Sequence, residues 1–248
     1  MRNEALTGYL LHQRPYQEKR ALYYLFSWQH GVVHGIGKKG APLFEPLQLF
    51  ATGKRDLKTF SQIGLLPAED SFTKDTTITE PTRYQQISGQ QQYAALYLNE
   101  ILWKLLPSED PMPVLWQHYQ DSLTQLKQPL TATALRLCLR QFESHLFQEL
   151  GFSLTLAHDN SLAPIEPDTD YRFLSDVGFV ATHQPDKTTI NSLQTLFTGA
   201  DIIDMARLGI SAPTLSNWSR LHKHLIDHLL DYQPLQSRLL WQQQQRYQ

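Results

Sequence analysis

The sequence predicts an α+β chain in two parts: a small antiparallel barrel of five strands, then a larger α-helical domain carrying a hairpin insert. Three observations carry that expectation. Residues 7–66 hold short apolar runs punctuated by glycine and proline, the pattern of strands joined by turns. From residue 93 onward apolar residues recur at three and four, the spacing of helices. Between the two textures, residues 67–83 are polar and threonine-rich, and read as a linker or a final edge strand.

The first strand centres on Tyr9, Leu10 and Leu11, ahead of Arg14-Pro15. Ala21 to Phe26, aromatic and aliphatic, forms the second. A turn at Gln29-His30-Gly31 leads into Val32, Val33 and Ile36, with glycines at 35, 37 and 40. Leu47 to Ala51 and Leu57 to Leu65 complete the set. Five strands in about 75 residues is the size of an OB-fold, which assigns residues 1–82 to that barrel.

Residues 83–248 are assigned to the helical domain. Tyr93 to Leu106 is apolar on most sides (Leu96, Tyr97, Leu98, Ile101, Leu102, Trp103), which describes a core helix, and Pro107 ends it. Val114 to Leu126 repeats Leu115, Tyr119, Leu123 and Leu126. Thr133 to Leu150 carries Leu135, Leu139, Phe142 and Leu146, with Gly151 where a helix-ending glycine belongs. A looser insert covers about 152–190, where Tyr171-Arg172-Phe173 and Gly178-Phe179-Val180 flank a turn and predict a hairpin. Thr214 to Leu230 is the last strong helix, and the chain closes on the glutamines 242–245.

Composition bounds the function. With 248 residues, 41% hydrophobic, 19% charged and a net charge of −2, the chain has the balance of a globular protein rather than a disordered one. Its one cysteine, Cys138, excludes a disulfide framework and a four-cysteine zinc site, and its place on an apolar stripe reads as a buried structural thiol. Met1 to Tyr9 carries Arg2, Asn3 and Glu4 instead of an apolar core, so no secretory signal is expected. No run approaches ~18 apolar residues, so no membrane span is expected and the anticipated location is cytoplasmic. The near-neutral total hides an asymmetry. Residues 1–60 hold nine basic and four acidic residues, a charge of +5, and the other 188 carry −7. Such a basic end suggests a polyanion partner.

Few motifs carry chemistry. Gly35-Ile36-Gly37-Lys38-Lys39-Gly40 matches a dinucleotide loop by letter, but that chemistry needs a helix N-terminus after the glycines, and Pro42 and Pro46 follow instead. The better reading is a backbone that a phosphate chain can approach, with Lys38 and Lys39 to neutralise it. His222, His224 and His228 share one helix, and with Asp227 they raise a metal-hydrolase reading, though the residue after the first of the paired histidines is Leu225 where a zincin needs glutamate. No nucleophile elbow and no Walker loop appears, so no enzyme and no cofactor is expected.

What remains is the basic barrel with interleaved aromatics: Tyr16, Tyr23, Tyr24, Phe26, Trp28 and Phe60. Phosphate neutralisation and ring stacking together bind single-stranded nucleic acid. The cations expected to meet DNA are Arg14, Lys19, Arg20, Lys38, Lys39, Lys54, Arg55 and Lys58, since cations are rarely buried unpaired. A second candidate site lies on the 133–150 helix. Arg136 and Arg140, four apart among Leu135, Leu139, Phe142 and Leu146, suit an acidic peptide with a hydrophobic end. The competing reading pairs Arg140 with Glu143 along the helix.

An ordered series of short matches resembles one family, the RecO recombination mediators and DNA repair proteins of bacteria. Gly8 to Glu18 is similar to the family's first strand and turn, Lys39-Gly40-Ala41 to its Lys-Gly-Ala loop, and Leu47-Gln48-Leu49-Phe50 to its Leu-Gln-Pro-Phe strand. Leu96 to Leu102 resembles its Leu-Tyr-hydrophobic-Asn-Glu-Leu-Leu helix. Leu139 to Glu143 and Leu150-Gly151-Phe152 resemble its Leu-Arg-x-Phe-Glu helix and Leu-Gly-Tyr end. Tyr171-Arg172-Phe173 with Gly178-Phe179 is similar to its hairpin, and Pro234 to Arg238 to its Pro-Leu-Lys-Ser-Arg tail. The resemblance implies an OB-fold followed by a helical domain, and binding of single- and double-stranded DNA. It implies annealing of complementary strands, and help for RecA to load on DNA coated by the single-strand-binding protein (SSB), together with RecR, in a nucleoid-associated protein. It also implies docking of the SSB tail, with Arg140 at the matching arginine, Arg136 beside it, and Arg220 and Lys223 in support.

Three departures stand out: Pro42, Leu43 and Phe44 replace a basic cluster, no cysteines fill the hairpin insert for zinc, and Gln236 replaces the tail lysine. The missing loop cations favour an alternative, an OB module that docks SSB tails with little intrinsic DNA binding.

Overall fold

The structure is a computed structural model and describes residues 1–66, 86–152, 154–182 and 195–246. It contains two compact units, one formed by Met1–Leu130 with Leu235–Gln248 and the other by Thr131–Pro234.

The first unit is built on the expected barrel. Strands β1 (Glu4–Gln17), β2 (Arg20–Ser27), β3 (Gly31–Lys38), β4 (Pro46–Thr52) and β5 (Leu57–Leu65) close in the order β1-β2-β3-β5-β4. Every ladder is antiparallel except β3 with β5. Alternation along the strands sends Leu6, Leu10, Ala21, Tyr23, Leu25, Val33, Leu47, Leu49, Ala51 and Phe60 into the interior. Gly35 and Gly37 face inward as well. A Cβ at Gly35 would stand 2.4 Å from Phe60 Cζ, and one at Gly37 2.6 Å from Ile63 Cδ1. These glycines make room for Phe60 and Ile63 inside the barrel. That corrects the expectation that they open the backbone to a phosphate chain.

Helices α1 (Gln90–Leu105) and α2 (Pro113–Leu126) cover part of the barrel's outer face. A register shift between Leu10 and His12 bulges β1. The carbonyls of Leu10 and Leu11 there accept from Asn99 Nδ2 at 3.2 and 3.1 Å, and Tyr119 Oη donates to Asn99 Oδ1 at 2.5 Å. Tyr9 packs its ring on Trp116 and Tyr119, and Trp116 Nε1 donates to the Phe26 carbonyl at 3.3 Å. Tyr9 and Phe26 therefore point out of the barrel yet are buried.

The tail forms a further helix, α6 (Gln236–Arg246), which the glutamine-rich sequence did not announce. Its first turn is capped by Glu100 of α1, which accepts from the backbone N–H of Gln236 at 2.9 Å and of Ser237 at 2.8 Å. The predicted boundary at 82/83 lies outside the described residues. The compact units divide the chain elsewhere, because Asn99 and Trp116 tie α1 and α2 to the strands and Glu100 ties α6 to α1.

The second unit contains α3 (Ala132–Glu149), β6 (Asp170–Leu174), β7 (Gly178–Thr182), β8 (Thr195–Thr198), α4 (Gly199–Leu208) and α5 (Leu215–Leu229). The predicted hairpin is β6–β7, and β8 joins it to make a sheet ordered β7-β6-β8. The end of the predicted insert, 183–190, lies outside the described residues. Side chains of Thr131 and Thr198 cap α3 and α4, accepting from Ala134 N at 3.2 Å and Asp201 N at 3.1 Å. Cys138 is buried on α3. No described helix is long and apolar enough to cross a membrane.

Candidate nucleic-acid interface

Strand register lines up a row of side chains on the barrel's outer face. His12 pairs with Tyr24, Tyr24 with His34, and His34 with Leu57 of β5. Because the interior takes Ala21, Tyr23 and Leu25 of β2, the alternate residues face out. Tyr24 meets His34 edge-on, with centroids 4.5 Å apart, and lies 5.5 Å from His12. Trp103 of α1 stacks on His12 at 4.8 Å and closes the β1 end of the row. All four rings are half-buried.

Further along the same strands the face turns cationic. Arg14 pairs with Leu22 and Leu22 with Ile36, while Arg20 pairs with Lys38. The Arg14 guanidinium lies 6.0 Å from the Tyr24 ring centre and 5.7 Å from that of Trp103. Lys19 and Lys39 extend this end: the Lys39 N–H bonds the Lys19 carbonyl at 3.1 Å, and Lys39 Nζ donates to the Glu18 carbonyl at 2.9 Å. Lys54 and Arg55 sit in the β4–β5 turn, just before Leu57 at the other end of the aromatic row. These seven cations are exposed, and none forms a salt bridge with a described acidic residue.

Lys58 is different. It is buried, with Nζ 2.5 Å from Glu109 Oε1 and 2.7 Å from the Arg55 carbonyl. Its charge is spent inside the fold, so it leaves the expected DNA-facing set. The aromatics also divide. Tyr23 and Phe60 fill the barrel, Phe26 and Trp28 pack against α2, Tyr16 is exposed, and Tyr24 alone among those six stands in the row.

The histidines of the row are held below their ordinary pKa. For His12 the cause is burial first, then the Arg14 charge, against the opposing pull of Glu100. For His34 it is burial, opposed by Asp56 and Glu109. Both shifts favour the neutral ring, the state in which an imidazole behaves as a flat aromatic surface.

In the second unit Arg140 is held in an ion pair with Glu143, the competing reading of the sequence. Glu143 is fully buried and its other oxygen lies 2.9 Å from His222 Nδ1. Arg140 Nε has no acceptor among the described residues. Arg136 is exposed and reaches Ser219 Oγ at 3.3 Å. Arg136, Arg140, Ser144, Phe147 and Gln148 lie on one face of α3. A cavity of about 380 Å³ opens at its C-terminal end, lined by Ser144, Phe147, Gln148, Gly151, Phe152, Leu154 and Trp218. Arg220 lies over the Phe197 ring at 4.7 Å and bonds the Leu196 carbonyl, and Lys223 is paired with Asp227 at 2.6 Å.

The three histidines of α5 diverge. His222 turns to Glu143, His224 lies 3.5 Å from Thr195 Oγ1, and His228 lies 3.1 Å from Asp176. No group of three metal-ligating side chains gathers among the described residues.

Residues 88–239 match the family described as "Recombination protein O C terminal". The chain is 34% identical to the DNA repair protein RecO of Pseudomonas paraeruginosa, covering 96% of this chain and 94% of that one. The chain belongs to the RecO family. The RecO protein of Haemophilus influenzae (strain 86-028NP) is 32% identical over 98% of both chains, and that of Pseudomonas putida (strain W619) is 31% identical over 94% of this chain and 95% of its own. Membership gives the protein a role in DNA repair and recombination.

The RecO-like sequence motifs acquire physical meaning here. Asn99 and Glu100 of the Leu-Tyr-x-Asn-Glu run hold the bulged strand and the tail helix, and Ser237 of the Pro-Leu-x-Ser-Arg tail is what Glu100 holds. Sequence reasoning missed His12, His34 and Trp103. The apolar run 93–106 places Trp103 in a helical core. The two histidines carry a weak signal, the outward positions of strands whose inward positions are apolar, and only the cross-strand register joins them.

Proposed function

We propose that this chain is a recombination mediator that binds single- and double-stranded DNA, anneals complementary strands and helps RecA load on SSB-coated DNA together with RecR. The single observation that carries the reading is the exposed set Arg14, Lys19, Arg20, Lys38, Lys39, Lys54 and Arg55 bordering one outer face of the barrel. OB barrels commonly bind oligonucleotides on the β2–β3 face with the β1–β2 and β4–β5 loops. Here those loops supply Lys19, Lys54 and Arg55. The protein works without a catalytic centre or cofactor, in the cytoplasm at the nucleoid. A titration of purified protein with labelled single-stranded DNA at several salt concentrations tests the reading. Affinity that falls steeply with salt supports it, and no binding at low salt overturns it.

SSB-tail docking is the second part of the proposal. The tail's acidic stretch would lie along Arg136 and Arg140, with Arg220 and Lys223 as outlying cations, and its hydrophobic end would enter the cavity beside Phe147 and Trp218. Support comes from the unmatched Arg140 Nε and from the cavity lying one turn further along the same helix face. The alternative of a tail-docking module with little DNA affinity is favoured by Pro42, Leu43 and Phe44, where the family often carries cations. A gel shift with the protein alone separates the two.

A further inference from the structure

We propose that His12, Tyr24, His34 and Trp103 form a base-stacking platform that selects single-stranded over duplex DNA, an inference that rests on the DNA-binding reading above. The row runs across three strands rather than along one. Neighbouring strands lie about 4.8 Å apart, so the three strand-borne rings span about 10 Å, room for two or three bases.

The rings differ from Tyr9 and Phe26 in being partly open to solvent. Tyr9 and Phe26 also leave the barrel, but α2 buries them, whereas every ring of this row keeps part of its surface exposed. Their surroundings fit a nucleic acid strand. Arg14 stands two residues beyond His12 on β1, and Arg20 and Lys38 stand four beyond Tyr24 and His34, distances of about 7 and 13 Å along the strands. Lys54 and Arg55 flank the opposite end, next to Leu57. A strand whose bases lie on the row thus has cations on both sides for its phosphates.

Duplex DNA keeps its bases stacked on one another and offers no free base face to such rings. The cations alone serve a duplex, and the rings add affinity only for unpaired bases. Neutral imidazoles suit this role, since they bring a flat surface without further charge.

The test compares wild type with His12→Ala/His34→Ala, using fluorescence anisotropy of an oligo(dT) of about 16 nucleotides and a duplex of equal length. The double variant should bind oligo(dT) about tenfold more weakly, about 1.4 kcal/mol, with its salt slope unchanged and duplex affinity within about twofold. Oligo(dT) affinity that stays within about twofold of wild type, or an equal loss on duplex, overturns the platform while leaving DNA binding intact. Failure of wild type itself to bind DNA overturns the reading beneath it. Trp103→Phe supplies a second measurement. Saturating oligo(dT) should quench wild-type tryptophan fluorescence, and the variant should bind yet lose most of that quench. An unchanged quench also overturns the platform.

Discussion

Glu100 grips Ser237 twice with one carboxylate oxygen, which accepts from the Ser237 backbone N–H at 2.8 Å and from its hydroxyl at 2.7 Å. The other oxygen accepts from Gln236 N at 2.9 Å and lies 3.3 Å from Lys104 Nζ. Glu100→Gln keeps the shape and removes the charge from these bonds. The variant should lose about 1.5–3 kcal/mol in urea denaturation at pH 7.

The same carboxylate gives a pH dependence. Burial raises its pKa, but hydrogen bonds from Ser237, Gln236 and Lys104 together outweigh burial and leave it below the ordinary value of 4.5. A lowered folded-state pKa means the unfolded chain takes up the proton first. This stabilisation is present above pH 4.5 and is lost as pH falls through the lower folded value. The stability gap between wild type and Glu100→Gln should shrink over that acid range.

Asn99→Ala should destabilise the first unit by about 2–4 kcal/mol. It leaves the buried carbonyls of Leu10 and Leu11 and the Tyr119 hydroxyl without the partner they share. Tyr119→Phe removes one bond of the network and should cost about 1 kcal/mol. Thermal melts of both variants check the order.

Lys58 and Lys38 carry the same charge in opposite surroundings. Lys58→Met removes a buried ammonium from its bonds to the Arg55 carbonyl and to the exposed Glu109, so it should lower the melting temperature and leave DNA affinity unchanged at temperatures where the variant is folded. Lys38→Gln should do the reverse.

Arg140→Ala removes a charged partner of the fully buried Glu143 carboxylate, whose other oxygen lies 2.9 Å from His222 Nδ1. It should destabilise the second unit by about 3 kcal/mol, whereas Arg136→Ala, at an exposed site, should cost under about 0.5 kcal/mol. Affinity for an SSB-tail peptide should fall in both. Retention within about twofold in a folded Arg140→Ala protein would remove that arginine from the docking site.

Much of the architecture was legible because it rests on local pattern. The β5 strand has the bounds its apolar run announced, and α3 ends at the glycine the sequence marked, with Gly151 at φ 82°. Period-two alternation puts Tyr23 inside the barrel and Tyr24 on its outer face. What escaped depends on partners distant in sequence. Helix α6 has a polar, glutamine-rich composition and takes its cap from a carboxylate 136 residues earlier, so no local signal marks its start. Lys58 reads as one more surface cation until Glu109 is placed beside it. The ring row exists only in the register of three strands. By contrast α4 carries a local signal: Thr198 three residues before Asp201 is a capping pattern.

The most direct measurement is the slope of log affinity against log salt for oligo(dT), taken on wild type and on Lys38→Gln/Lys39→Gln. Each neutralised phosphate contributes about −0.7, so a face with seven exposed cations predicts a wild-type slope of roughly −3 to −5 and one shallower by about 1.4 in the variant. A flat wild-type slope, or a variant with the wild-type slope and affinity, would contradict the claim that this face of the barrel holds the DNA backbone.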